Sequence, residues 1–209
     1  MNLTQMNEHE QWEAIKTWWK ANAVMLISIV LLAVIISFGY RYWQQHQLQK
    51  QEQSSALFDQ LLLVNLSLHS EPLTHELAAR LEKDYTQTPY AGLAALLEAK
   101  MAVEKNDLGK AQEKLQWVIS NGKSADLRQI ARIRMARVLL ALKQPAQALS
   151  SLEIIDDVAF LPAINQVRGD IFLVQGKKKD ARSAYEAALK SLPPTLAITN
   201  YLQMQVNQL

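Results

Sequence analysis

Twenty consecutive residues, Ala21 to Tyr40 (ANAVMLISIVLLAVIISFGY), carry no charge between Lys20 and Arg41. As a helix rising about 1.5 Å per residue they cover roughly 30 Å, the thickness of a bilayer's hydrocarbon core. Eleven of the twenty are Val, Leu, Ile or Phe. At about −0.3 to −0.6 kcal/mol each, these favour insertion by roughly 3 to 7 kcal/mol. Trp18 and Trp19 precede the stretch, and Tyr40, Tyr42 and Trp43 follow it. Aromatic belts of this kind sit at both membrane–water interfaces. A core helix of a soluble protein seldom runs so long without a charge. A cleaved signal peptide is the closer rival, because Ser37, Phe38 and Gly39 satisfy the small-x-small rule. Its leader should be basic, however, and here it holds Glu8, Glu10 and Glu13. The stretch reads as an uncleaved, single-span anchor.

The charges leave the orientation open. Lys16 and Lys20 flank the span on one side, Arg41 and Lys50 on the other, a tie under the positive-inside rule. A short leading tail and a large trailing domain favour an N-terminus on the inner side. The formal net charge is +2, divided as −1 over residues 1–40 and +3 over 41–209. That balance lacks the basic footprint of a nucleic-acid binder. The chain has no cysteine, which excludes disulfides, thiol nucleophiles and Cys-ligated zinc.

The chain divides into a tail (1–20), the span (21–40), a stalk that becomes the first helix of the soluble domain (41–70), and a helical domain (71–209). In the tail, Trp12, Ile15 and Trp18 fall at helical spacing; the segment either lies in the headgroup region or continues the spanning helix. From Arg41 to Leu68 there is no Gly or Pro, and Gln is frequent, a run of good helix formers. Leu57, Leu61, Val64 and Leu68 then mark one apolar helix face. His69 to Pro72 ends that helix, and a short helix is expected from Thr74 to about Tyr85. Thr88 is placed as N-cap of the next helix, with Pro89 at its first position.

Beyond Pro89 the chain repeats. Gly169, Phe172, Gly176, Ala181, Tyr185, Ala188 and Pro193 occupy the small, aromatic, turn and Pro positions of a tetratricopeptide repeat. Ala136, Leu139, Ala148, Leu152 and Ile155 stand at equivalent places in a second copy, and Ala99, Ala102, Ala111, Leu115 and Val118 in a first. The equivalent alanines Ala111, Ala148 and Ala181 lie 37 and 33 residues apart. Each repeat is a pair of antiparallel helices that cannot bury its apolar face alone, so successive pairs stack. A closing helix is expected from Thr195 to about Asn207, using Leu196, Leu202 and Val206. The fold class is therefore all-α: one transmembrane helix with a stalk, then a tetratricopeptide-like solenoid.

The first helices of such repeats line a concave groove. The register places Leu93, Leu96, Lys100 and Val103 there in the first copy, Ile130, Ile133, Arg137 and Leu140 in the second, and Ala163, Gln166, Asp170 and Leu173 in the third. Lys100 and Arg137 share one repeat position, suited to acidic groups or a terminal carboxylate of a partner, or simply to solvent.

Other local strings carry little. Gly122, Lys123 and Ser124 resemble the end of a phosphate loop, but Trp117 stands where its first Gly is required. Arg168, Gly169 and Asp170 spell an adhesion tripeptide inside a repeat helix. Lys177 to Lys179 and the pair Asp156 and Asp157 read as solvated turns. The four histidines show no metal-binding spacing. No catalytic residues, metal or cofactor are expected.

The acidic leader with QWEAIKTWWK, the exit sequence GYRYWQQHQ at 39–47 and RGDIFLVQGKKKDARSAYEAALK at 168–190 together resemble the YfgM family. These are the ancillary subunits of the SecYEG translocon in the bacterial inner membrane. The resemblance covers nearly the whole chain. It implies a cytoplasmic N-terminus and a periplasmic C-terminal domain. It also implies association with SecYEG and with a PpiD-like membrane-anchored periplasmic chaperone, in a role that passes secretory proteins to chaperones. The alternative is a tetratricopeptide adaptor of another envelope assembly, such as cell division or surface-polymer export.

Overall fold

The computed structural model describes residues 8–193 and 197–209. Among these residues the regular elements are all helical. The chain forms two compact units, one ending at Lys50 and the other running from Gln51 to Leu209. Helix α1 is Glu8–Leu63.

In the first unit none of the described side chains from 21 to 40 is buried. Val24, Ile27, Leu31, Ile35 and Phe38 are all exposed, so this apolar stretch is not the core helix of a soluble domain. It is one helix long and apolar enough to cross a membrane. Two of its polar side chains bond back within the helix: the Ser28 hydroxyl donates to the Val24 carbonyl at 2.7 Å and the Asn22 amide to the Trp18 carbonyl at 2.8 Å. In hydrocarbon, where water supplies no partner, such back-bonding removes a penalty of several kcal/mol per group.

The second unit opens on the last turns of α1. Leu57, Leu61 and Val64 turn inward against Leu77, Ala78 and Leu81; the Leu68 side chain lies outside the described set. One π-helical turn, Val64–Leu68, follows, and His69 ends it in the left-handed region at φ 49°. Helix α2 then spans Glu71–Asp84, with Pro72 in its first turn, three residues earlier than the spacing predicts. The remaining helices are α3 (Pro89–Glu104), α4 (Leu108–Asn121), α5 (Ala125–Ala141), α6 (Pro145–Ser150), α7 (Leu161–Val174), α8 (Lys178–Leu189) and α9 (Ala197–Gln208). Helix α9 is the expected closing helix and buries Leu202 and Val206; Leu196 lies outside the described residues.

Helices pack in chain order, α3 on α4, α4 on α5, α7 on α8 and α8 on α9, while α5 also meets α3 and α7. That second set of contacts stacks the first helices of the three repeats. A continuous core runs through them, built from Ala99, Ala111, Leu115, Ala131, Ala136, Leu139, Ala148, Leu152, Ile164 and Ile171. The small residues allow close approach of the helices and the large ones fill the space between pairs.

The ends of α3, α5 and α7 share one device. At each, a residue in the left-handed region reverses the chain: Asn106 at φ 59°, Lys143 at φ 62° and Gly176 at φ 74°. The following amides of Asp107, Gln144 and Lys177 return to the carbonyls of Ala102, Leu139 and Phe172 at 2.8 to 2.9 Å. This is the Schellman closure, repeated with the period of the alanines.

Thr88 stands at the N-cap of α3 with Pro89 at its first position, as the spacing predicts, although its hydroxyl donates back to the Tyr85 carbonyl at 2.9 Å and makes no capping bond. Two local expectations are corrected. The second helix of the second repeat, α6, stops at Ser150, so Ile155 is 41% exposed while Leu152 stays fully buried. Two serines, two β-branched isoleucines and two aspartates in succession oppose a longer helix, the acids because they would face the negative end of the helix dipole. Asp156 is no idle turn residue either. It accepts from Arg128 at 3.0 Å and Arg132 at 2.7 Å, while its backbone amide donates to the buried Gln129 side chain at 2.7 Å. Burial raises the Asp156 pKa, but the bonds from Arg132 and Arg128 outweigh it and hold the carboxyl below the usual range.

Candidate partner groove

A hollow in the second unit lies between α3 and α5, with α4 at its base. It measures about 410 Å³, within the roughly 300–1,000 Å³ typical of ligand sites. Ala99, Val103, Leu108, Leu115, Val138 and Ala141 give it an apolar floor, and Lys100, Glu104, Arg134 and Arg137 form its rim. The helical repeat produces this arrangement. Residues 99, 100 and 103 share a face of α3, and residues 134, 137, 138 and 141 share a face of α5, at spacings of three and four.

The rim is unevenly paired. Lys100 meets Glu104 at 3.4 Å, both well exposed. Among the described residues, Arg134 and Arg137 have neither an ion pair within 4 Å nor a hydrogen bond. Burial, and then the neighbouring Arg137 charge, lower the Arg134 pKa. Asp170 on α7 lies near enough to feel Arg137, yet it is committed to the Tyr185 hydroxyl, which donates to it at 2.8 Å. Burial raises the Asp170 pKa against these two opposing contacts.

The residues expected along the groove are therefore divided. Lys100 and Arg137 meet at the hollow, together with Val103. Leu96 and Ile133 are buried and serve the core, not an open surface. Leu93, Ile130 and Leu140 are half-buried against that core. Gln166 and Ala163 line a second, uncharged hollow with Phe160, Pro162, Leu192 and Ile198. Leu173 is 37% exposed. The spacing argument missed Arg134, although it stands one turn before Arg137.

It also missed a charged cluster joining α2, α3 and α4. Glu98 is buried; its carboxylate meets His75 Nδ1 at 2.6 Å and the Lys114 ammonium. Lys114 also donates to both oxygens of Glu82, at 3.0 and 2.9 Å. Burial is the largest influence on Glu82 and, with the Glu98 carboxylate beside it, pushes its pKa up to about 7 despite Lys114. Burial also acts on Glu98, but the bonds from Lys114, His75 and Glu82 hold its pKa below the ordinary value. Of the two carboxyls, Glu82 is therefore the one whose protonated form is favoured. Because every group is matched within the cluster, it ties three helices together and offers little to an outside ligand. Among the described residues no group of three metal-binding side chains converges.

An apolar-floored hollow on stacked helical pairs, in a chain that also carries a membrane-length apolar helix, defines an anchored tetratricopeptide-like interaction protein. The family described as "Tetratricopeptide repeat-like domain" matches residues 16–209. Three curated relatives share the name "Ancillary SecYEG translocon subunit". The one from Escherichia coli (strain K12) is 32% identical over 97% of both chains. That from Aggregatibacter actinomycetemcomitans is 33% identical over 88% of this chain and 89% of its own. That from Neisseria gonorrhoeae (strain ATCC 700825 / FA 1090) is 26% identical over 98% of both. The chain belongs to this family of ancillary SecYEG translocon subunits. No solved structure matches it.

Proposed function

We propose that the protein works beside the SecYEG translocon as a membrane-anchored, non-catalytic scaffold that passes secretory proteins to periplasmic chaperones. Its N-terminus lies in the cytoplasm and its repeat domain in the periplasm, where a PpiD-like anchored chaperone is its neighbour. The observation that carries this reading is the end-to-end similarity to relatives named as translocon subunits, which takes in the apolar helix as well as the repeats. Stacked helical pairs expose broad surfaces suited to polypeptide partners, and a scaffold needs binding surfaces rather than reacting groups. The reading is tested by trapping a secretory chain part-way through the translocon in cells that carry a photoreactive residue at exposed Val103. An adduct between this protein and the trapped chain or a periplasmic chaperone is the expected result. Adducts only with cytoplasmic proteins would overturn it.

A further inference from the structure

We propose that the hollow between α3 and α5 binds an acidic segment of a partner polypeptide, taking an apolar side chain on its floor and a carboxylate at Arg134 and Arg137. This inference stands on the hollow itself and does not depend on the translocon reading.

Charge complementarity selects the occupant. Lys100, Arg134 and Arg137 oppose the single acid Glu104 around the rim, leaving an excess of two positive charges. Glu104 is engaged by Lys100, so neither arginine is neutralised by it. Arg134 and Arg137 stand three residues apart on one face of α5, and burial, followed by the neighbouring Arg137 charge, disfavours the charged form of Arg134. An anion placed between them would offset the charge that both bring to the rim. A carboxylate suits this position because planar guanidinium groups grip it with paired hydrogen bonds. The floor adds the second requirement. Val103 and Ala141 are exposed and Leu108 half-buried beside the arginines, over the buried Ala99, Leu115 and Val138, so the ligand must place an apolar group next to its anion. A polypeptide with alternating acidic and apolar side chains meets both conditions at once. The uncharged hollow at Phe160 and Gln166 lacks the first of them.

The test uses the full chain in non-ionic detergent and a short fluorescent peptide rich in leucine and glutamate, followed by anisotropy. Its counterpart carries glutamine in place of glutamate. The glutamate peptide is expected to bind at least tenfold more tightly, with an affinity that falls as salt rises. Replacing both arginines, Arg134→Gln with Arg137→Gln, should bring it down to the glutamine peptide's level. Val103→Asp, at an exposed floor position, should abolish binding while circular dichroism stays unchanged. Equal binding of the two peptides, no binding of either, or full binding by the double arginine variant would overturn the proposal. So would self-association of the parent chain that the same variants abolish, since the occupant would then be a second copy, or displacement of the peptide by anionic lipid vesicles alone.

Discussion

Close contacts in the third repeat are set by single residues. A β-carbon built on Gly169 would stand 2.4 Å from Cε1 and 2.5 Å from Cδ1 of Tyr185, whose ring is fully buried and held by Asp170. Gly169→Ala should therefore cost about 1–3 kcal/mol, the range for overpacking. Ala181→Leu, at a fully buried site in the same cluster, should cost a similar amount. Lys178→Leu, at an exposed position, is the control that should cost little. Thermal unfolding of the full chain in detergent reads all three; an unchanged Tm for both packing variants would contradict this packing. A second residue-scale consequence concerns pH. Burial holds the Glu82 pKa at about 7 in the folded chain against an ordinary 4.5, so the folded state binds this proton more tightly than the unfolded one. That stabilisation is complete below about pH 4.5 and is lost as pH rises through about 7. Glu98, with its lowered pKa, contributes in the opposite sense, at lower pH. The parent's Tm should fall between about pH 5 and pH 8 more steeply than that of Glu82→Gln, which cannot ionise. Parallel curves would remove Glu82 as the cause.

Among the elements, the first helices of the repeats end in one geometry with three different residues. Gly176 adopts the left-handed region without strain, and asparagine tolerates it, but a lysine pays roughly 1–2 kcal/mol for it. Lys143→Gly should relieve that strain. Part of the gain is offset by the greater freedom of glycine in the unfolded chain. A net stabilisation of about 0.5–1 kcal/mol is expected, read as a raised Tm; a lowered Tm would mean that the Lys143 side chain makes a contribution larger than its strain. The same position shows why the repeats were unequally legible. In the third copy Gly169, Gly176, Tyr185 and Pro193 mark small, turn and aromatic positions with residue types that few other roles require. The second copy has Lys143 at its turn, and lysine gives no turn signal. Beyond the early end of α6, Asp156 is held by Arg128 and Arg132. These partners lie 28 and 24 residues away, beyond the reach of helical periodicity. For the same reason the Glu98 cluster was hidden: it joins three helices whose charges look solvated when each is read alone. Of the groove, the Lys100 and Arg137 pairing followed from the repeat register. Leu96 and Ile133 did not, because the register places a residue on the inner face without saying how deeply the next helix covers it.

At the scale of the molecule, the two units answer to different solvents. The described side chains from 21 to 40 are unburied and mostly apolar, and the unit from Gln51 onward encloses its own cores. That division fits a membrane anchor followed by a separately packed helical domain. Alkaline phosphatase fused after Leu209 should be active and a fluorescent cytoplasmic reporter at the same place dark; the reverse pattern would invert the orientation. Affinity purification of the tagged full chain from detergent-solubilised membranes tests most directly whether the repeat domain works beside the translocon. SecY is expected among the proteins recovered, at a yield that survives a salt wash. Recovery of division or surface-polymer export proteins without SecY would contradict it.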